Sequence, residues 1–249
     1  MKKITIFSLA AALFFLTSCE TTREITLADN GNGEIVTTLD MSQLVGIMKM
    51  SGQGNEIGDQ KLDSTISLAS IADSLTDLTA GDRDLLKTGT MDMVVNMEDE
   101  KMLTRVSFPF TSISDVPKIQ ELSGKMMKEV VKKEMEQKGG APQGMSADGM
   151  PTSFEEYFKM TYSPGLIEMK LDKEKYAGVD QDQGAQGIKQ AMDQGLPLMN
   201  RYIIHLPKAA KKVDGTYARL SEDKKTVTIE NDMSNFFEDA SKLEFRIEY

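Results

Sequence analysis

The chain reads as an α+β protein, with mainly antiparallel sheet built from hairpins and a long amphipathic helix packed on one face. Three observations predict this class. Short stretches of strict apolar–polar alternation recur in pairs around turn residues, as in Glu24–Met41 and Met91–Phe110. One long segment, about Asp115 to Gln137, has the helical spacing Val116, Ile119, Leu122, Met126, Val130. Helical patterns fall between hairpins without regular strand–helix–strand alternation, which disfavours a parallel sheet.

The first 18 residues stand apart. Lys2 and Lys3 precede an apolar run from Ile4 to Phe15, too short to span a bilayer, and Leu16-Thr-Ser-Cys19 follows. A basic start, a short apolar core and small residues at a cleavage point define a secretory signal. Small residues directly before a cysteine make it the lipoprotein form, with residues 1–18 removed and Cys19 acylated. This is the sole cysteine of the chain. Residues 19–23 are expected to be a lipidated polar tether, and 24–249 a single α+β envelope domain.

Within that domain, Glu24–Leu27 and Ile35–Met41 flank the turn Asp29-Asn-Gly-Asn-Gly33, a hairpin pattern. Ser42 can cap a short helix carrying Leu44, Val45, Ile47 and Met48. Lys61–Leu68 reads as a strand, followed by helical turns at Ile71–Leu75 and Asp82–Leu86, the latter capped by Thr79. Met91, Met93, Val95 and Met97 share one face of the next strand. After the turn Glu98–Lys101, Met102, Thr104, Val106, Phe108 and Phe110 share one face of its partner. Pro117 falls in the first turn of the long helix, where the missing N–H costs nothing.

Residues 138–153, rich in Gly and small side chains, read as a flexible segment, a long loop or a linker. Beyond it come a hairpin at Tyr157–Tyr162 and Leu166–Leu171, a Gly-interrupted helix at Gln183–Gln194 and a strand at Met199–Leu206. Two strands, Tyr217–Leu220 and Thr226–Glu230, flank Ser221–Lys225. A short helix near Asn235–Asp239 precedes a last alternating strand, Leu243–Tyr249, a candidate open sheet edge.

Composition narrows the class of function. Once the leader is removed, 27 basic and 39 acidic side chains leave a charge of −12, which argues against nucleic acid as a partner. Attachment to the membrane is therefore assigned to acyl chains, each buried CH2 contributing about 0.8 kcal/mol. No thiol remains for a disulfide, so stability must come from packing. Glu20 follows Cys19 where an aspartate commonly retains a lipoprotein in the inner membrane, which favours the outer membrane.

Candidate chemistry is sparse. His205 is the single histidine and has no cysteine or second histidine to work with, which disfavours zinc sites and Cys–His dyads. The pairs Met48/Met50 and Met91/Met93 suit Cu(I) by ligand softness, yet the same spacing packs a core. The acidic turns Asp29–Glu34 and Asp180–Gly184 lack the ligand positions of a calcium loop. Lys125, Lys128, Lys132 and Lys133 give the long helix local basicity, diluted by Glu129, Glu134 and Glu136. No catalytic set, cofactor or metal site is assembled, and a non-enzymatic role is expected. With 18 methionines in the chain and flexible thioethers suited to irregular apolar ligands, the candidate ligand-binding residues are Met91, Met93, Met97, Met102, Phe108 and Phe110.

Two segments, "EITLADNGNGEIVTTLDMS" (Glu24–Ser42) and "YIIHLPKAAKKVDGTYARLSEDKKTVTIE" (Tyr202–Glu230), resemble the LppM-like bacterial envelope lipoproteins. The likeness lies in a first hairpin with a Gly-rich turn and a later strand ending in Leu-Pro. It covers about a fifth of the chain; that family often carries a membrane helix after the domain, whereas this sequence stops at Tyr249. The resemblance implies an α+β envelope domain without established catalytic residues and with a role around lipids or other envelope components. The expected function is a membrane-anchored, non-enzymatic module binding lipid or another apolar envelope ligand; the alternative is an assembly or scaffolding lipoprotein that acts through a protein partner.

Overall fold

The computed structural model describes residues 19–50, 61–72, 78–137, 154–193 and 195–249. The chain opens with the hairpin β1 (Cys19–Leu27) and β2 (Gly33–Asp40), joined by a turn in which Gly31 adopts φ +85° and Asn32 N–H bonds to Asn30 Oδ1 at 3.0 Å. Helix α1 (Ser42–Met50), strand β3 (Lys61–Ser67) and the single turn α2 (Ala69–Ala72) follow. Helix α3 (Ala80–Leu86) starts at a reciprocal cap: Asp82 N–H donates to the Thr79 hydroxyl, and Thr79 N–H to the Asp82 carboxylate. The hairpin β4 (Thr90–Asn96) and β5 (Lys101–Phe110) leads through a 3-10 turn, Ile113–Asp115, into α4 (Val116–Gln137).

After a 3-10 turn at Phe154–Tyr157 come β6 (Phe158–Ser163), β7 (Leu166–Leu171), α5 (Lys173–Tyr176) and α6 (Gln183–Asp193). Strands β8 (Leu198–His205), β9 (Lys212–Gly215), β10 (Ala218–Leu220) and β11 (Thr226–Asp232), helix α7 (Ser234–Asp239) and strand β12 (Phe245–Glu248) complete the chain. The strands form an eight-stranded sheet, β10-β11-β8-β1-β2-β5-β4-β3, and a four-stranded sheet, β6-β7-β12-β9. Among the described strands every pairing is antiparallel except β1 with β8. The class is α+β.

Two expectations are corrected here. Residues 19–23 are not a tether; they are the first half of β1. Glu20–Arg23 pair with Thr37–Asp40 on one side and with Met199–Tyr202 on the other. Their polar side chains disguised a strand whose backbone is bonded on both edges. The last strand is likewise no edge: β12 lies between β7 and β9. Strand β9, with one apolar residue in Lys212–Gly215, gave no strand signal of its own.

Alternation along the large sheet places Ile25, Leu27, Ile35, Val106, Phe108, Phe110, Tyr202 and Ile204 on its inner face, all buried. From the small sheet come Phe158, Tyr162, Ile167, Met169, Phe245 and Ile247, and from α4 come Val116, Ile119, Leu122 and Met126. All belong to one contiguous apolar cluster. The β4–β5 hairpin, α4 and the last strand thus contribute to one core. Residues 138–153 lie outside the described residues.

Candidate functional site

The β4–β5 ladder sets Met91 opposite Val106, Met93 opposite Thr104 and Val95 opposite Met102, so the methionine and phenylalanine faces coincide. Met91, Phe108 and Phe110 sit inside the core cluster and are at most 4 % exposed; Met93 packs against it. Met97 is buried and Met102 half-buried. Phe110 lies against Gly33, where the absent side chain leaves room for its ring. The six candidates therefore share a face and are largely enclosed by protein. The side chains of Met48, Met50, Lys128, Lys132 and Lys133 lie outside the described set.

A buried polar cluster on the same inner face had no forecast in the sequence. Arg23 points inward from β1 in register with Ile25 and Leu27 and is 8 % exposed. Its Nε meets Glu155 Oε1 at 3.1 Å, and its Nη1 donates to Asn200 Oδ1 at 3.2 Å. The guanidinium carbon stands 5.7 Å from the centre of the Tyr202 ring, a cation–π geometry. The Tyr202 hydroxyl donates to the same Glu155 carboxylate. Asn231 sits directly across from Asn200 on β11 and is 3 % exposed. The Tyr162 hydroxyl, from the small sheet, faces this ion pair and Gln120 of α4.

Electrostatics follow from this burial. Desolvation is the largest influence and opposes the charge on Arg23, but the Glu155 carboxylate together with Tyr202 and Tyr162 outweighs it, so the guanidinium pKa is raised. Burial, then the Glu155 charge, pushes the phenols of Tyr202 and Tyr162 far above their usual range. Both therefore stay protonated through neutral pH and serve as hydrogen-bond groups. The cluster binds two sheets together. A signal was present in the sequence: Arg23 two residues before Ile25, and Asn200 two before Tyr202, occupy inward positions of alternating strands.

The other candidates lie apart from one another. His205 is on the outer face, its Nε2 2.8 Å from Glu24 Oε1 and its Nδ1 3.3 Å from Thr226 Oγ1. Asp182 caps α6 through Ala185 N–H at 2.8 Å. Among the described residues no three His, Cys, Asp or Glu side chains converge on one point.

A shallow cleft of about 290 Å³ opens where the β1–β2 turn, the segment after β5, the β6–β7 turn and the end of the chain meet. Leu27, Ile113, Pro164, Pro207 and Tyr249 line it, and none of the six Met and Phe candidates does. It lies at the Leu27 end of β1. At the other end is Cys19, half-buried and paired with Leu198, its N–H donating to Pro197 O at 3.1 Å.

No family model, no curated protein and no solved structure matches this chain.

Proposed function

We propose that this chain is a bacterial envelope lipoprotein, held on the outer membrane by acyl chains at Cys19, that acts through a protein partner without catalysing a reaction. The leader and the Leu16–Cys19 signature support the anchor. The observation that carries the partner role is the fate of the Met and Phe side chains. Met91, Phe108 and Phe110 fill a core shared by two sheets with Met93 packed against it, Met97 is buried and Met102 half-buried outside that core, and none of the six lines the cleft of about 290 Å³.

A strand edge offers the contact. The large sheet ends in β10 with three residues and β3 with seven, and the small sheet in β9 with four and β6 with six, so β3 is the longest of these edges. A seven-residue edge is long enough for strand addition. In this reading α4 is a long amphipathic cover. Val116, Ile119, Leu122 and Met126 turn inward, while Glu121 and Lys125 meet at 2.6 Å on the exposed side.

The alternative, binding of a lipid or another apolar envelope ligand, is favoured by the apolar floor of the cleft, Leu27 and Ile113, and by the LppM-like resemblance. Native mass spectrometry of the protein, purified from its own host and stripped of anchoring lipid, separates the two. A stoichiometric protein supports the partner reading. A co-purifying lipid overturns it in favour of the alternative.

A further inference from the structure

The row of inner-face residues at the Cys19 end of the large sheet differs from the rows above it. The ladders place Leu62 beside Val95 and Val95 beside Met102. Met41 N–H donates to Met102 O at 2.9 Å, and Cys19 is set opposite Leu198. Every one of these six side chains is apolar or a thiol. The next row inward mixes Ser64, Met93, Thr104, Leu39, Thr21 and Asn200.

Most of the terminal row lies outside the main core. Leu198 packs against the core cluster, but Leu62, Val95, Met102 and Met41 are absent from it and from the side chains packed against it; Leu62 is 43 % exposed, and Val95, Met102 and Met41 are half-buried. Helix α1 stands beside the row, with the Ser42 hydroxyl accepting from Met102 N–H at 3.1 Å, and its nine residues carry one charge, Lys49. Strand parity directs the Cys19 sulfur to the same face as this row. The row crosses four strand spacings from Cys19 to Leu62, about 19 Å.

We propose that this end of the large sheet is a membrane-seating surface, resting on the bilayer into which the acyl chains of Cys19 insert. The proposal depends on the lipoprotein reading above. It commits to a lipid surface because the attachment point lies within the apolar row and β1 begins at the acylated residue, with no tether to hold the body away. The attraction is apolar: the neighbouring turn sets Glu98, Asp99 and Glu100 against Lys101, a net negative charge that disfavours anionic headgroups.

Because the chain has no tryptophan, single introduced tryptophans report depth cleanly. The lipidated full chain is reconstituted in phosphatidylcholine vesicles brominated on the acyl chain near the headgroup, as Leu62→Trp and, at the cleft end, as Lys208→Trp. Both replaced side chains lie on the surface, and circular dichroism checks each fold. The expected result is loss of most Leu62→Trp emission with Lys208→Trp emission unchanged. Unquenched Leu62→Trp on a protein whose acylated Cys19 is verified by mass spectrometry overturns the seating alone. Equal quenching at both positions overturns it too, since the body then lies flat. An unmodified Cys19 overturns the lipoprotein reading and the seating with it.

Discussion

Arg23 and Glu155 face each other at 3.1 Å, each 8 % exposed, and join the first strand of the large sheet to the turn that starts the small one. A buried pair of this kind is costly to break, because the survivor keeps an uncompensated charge. Arg23→Ala should therefore lower stability by about 3–5 kcal/mol in urea titrations. The double change Arg23→Met with Glu155→Leu should cost much less than either single change, which a double-mutant cycle will read directly.

The aromatic cluster around Phe236 is a second weak point. Its ring is 1 % exposed and meets Phe154, Tyr157, Phe158, Tyr176 and Phe237 at centroid distances of 5.1–6.4 Å. Phe236→Ala should cost about 3–5 kcal/mol, whereas Phe237→Ala, on the half-exposed neighbour, should cost clearly less. Thermal and urea denaturation of the two variants side by side test the ranking.

Gly33 opens β2 under the ring of Phe110. A methyl group there would collide with the Thr26 carbonyl and that ring, and neither can retreat without disturbing the hairpin or the core. Gly33→Ala should destabilise by about 1–3 kcal/mol or more. The paired variant Gly33→Ala with Phe110→Leu should recover part of the loss.

Alkaline pH should unfold the protein earlier than its charge alone suggests. Burial raises the pKa of Tyr157, Tyr162, Tyr176, Tyr202 and Tyr249. A phenol with a raised folded pKa adds stability that is complete below the unfolded value, about 10, and is lost as pH climbs toward the folded one. Phenolate absorbance should therefore lag in the native state and then rise together with loss of near-ultraviolet dichroism. Independent ionisation of these phenols at the ordinary pH, with the fold intact, would contradict this.

Replacing the anchor gives the simplest cellular test. Cys19→Ser should move the protein from the membrane fraction to the soluble fraction and leave an N-terminal peptide without acyl mass. Persistence in the membrane fraction would remove the lipid anchor from the account.

The local parts of the fold were legible because they rest on local signals. Ile25 and Met91 alternate with polar neighbours, and the Thr79–Asp82 cap is written within four residues. What failed needed partners far along the chain. Arg23 looks like a solvent residue until Glu155 and Asn200 are placed around it. Leu243–Tyr249 looks like a free edge until Lys212–Gly215, nearly devoid of apolar signal, arrives beside it. The face shared by the six Met and Phe residues followed from strand parity, whereas their enclosure depends on the second sheet, whose position no local pattern encodes.

The parallel contact of β1 with β8 sets a timetable for folding. β1 leaves the ribosome first, and β2 can close on it at once, but its other edge must wait for Leu198–His205. Contacts this distant in sequence form slowly because long loops close late. The large sheet therefore cannot be completed until most of the chain has been made. During that interval the first hairpin has one unpaired edge and an inward arginine still waiting for its carboxylate. Under the proposed acylation of Cys19, an N-terminus fixed at a lipid surface would hold the waiting strand apart from strands of other molecules until residue 205 emerges.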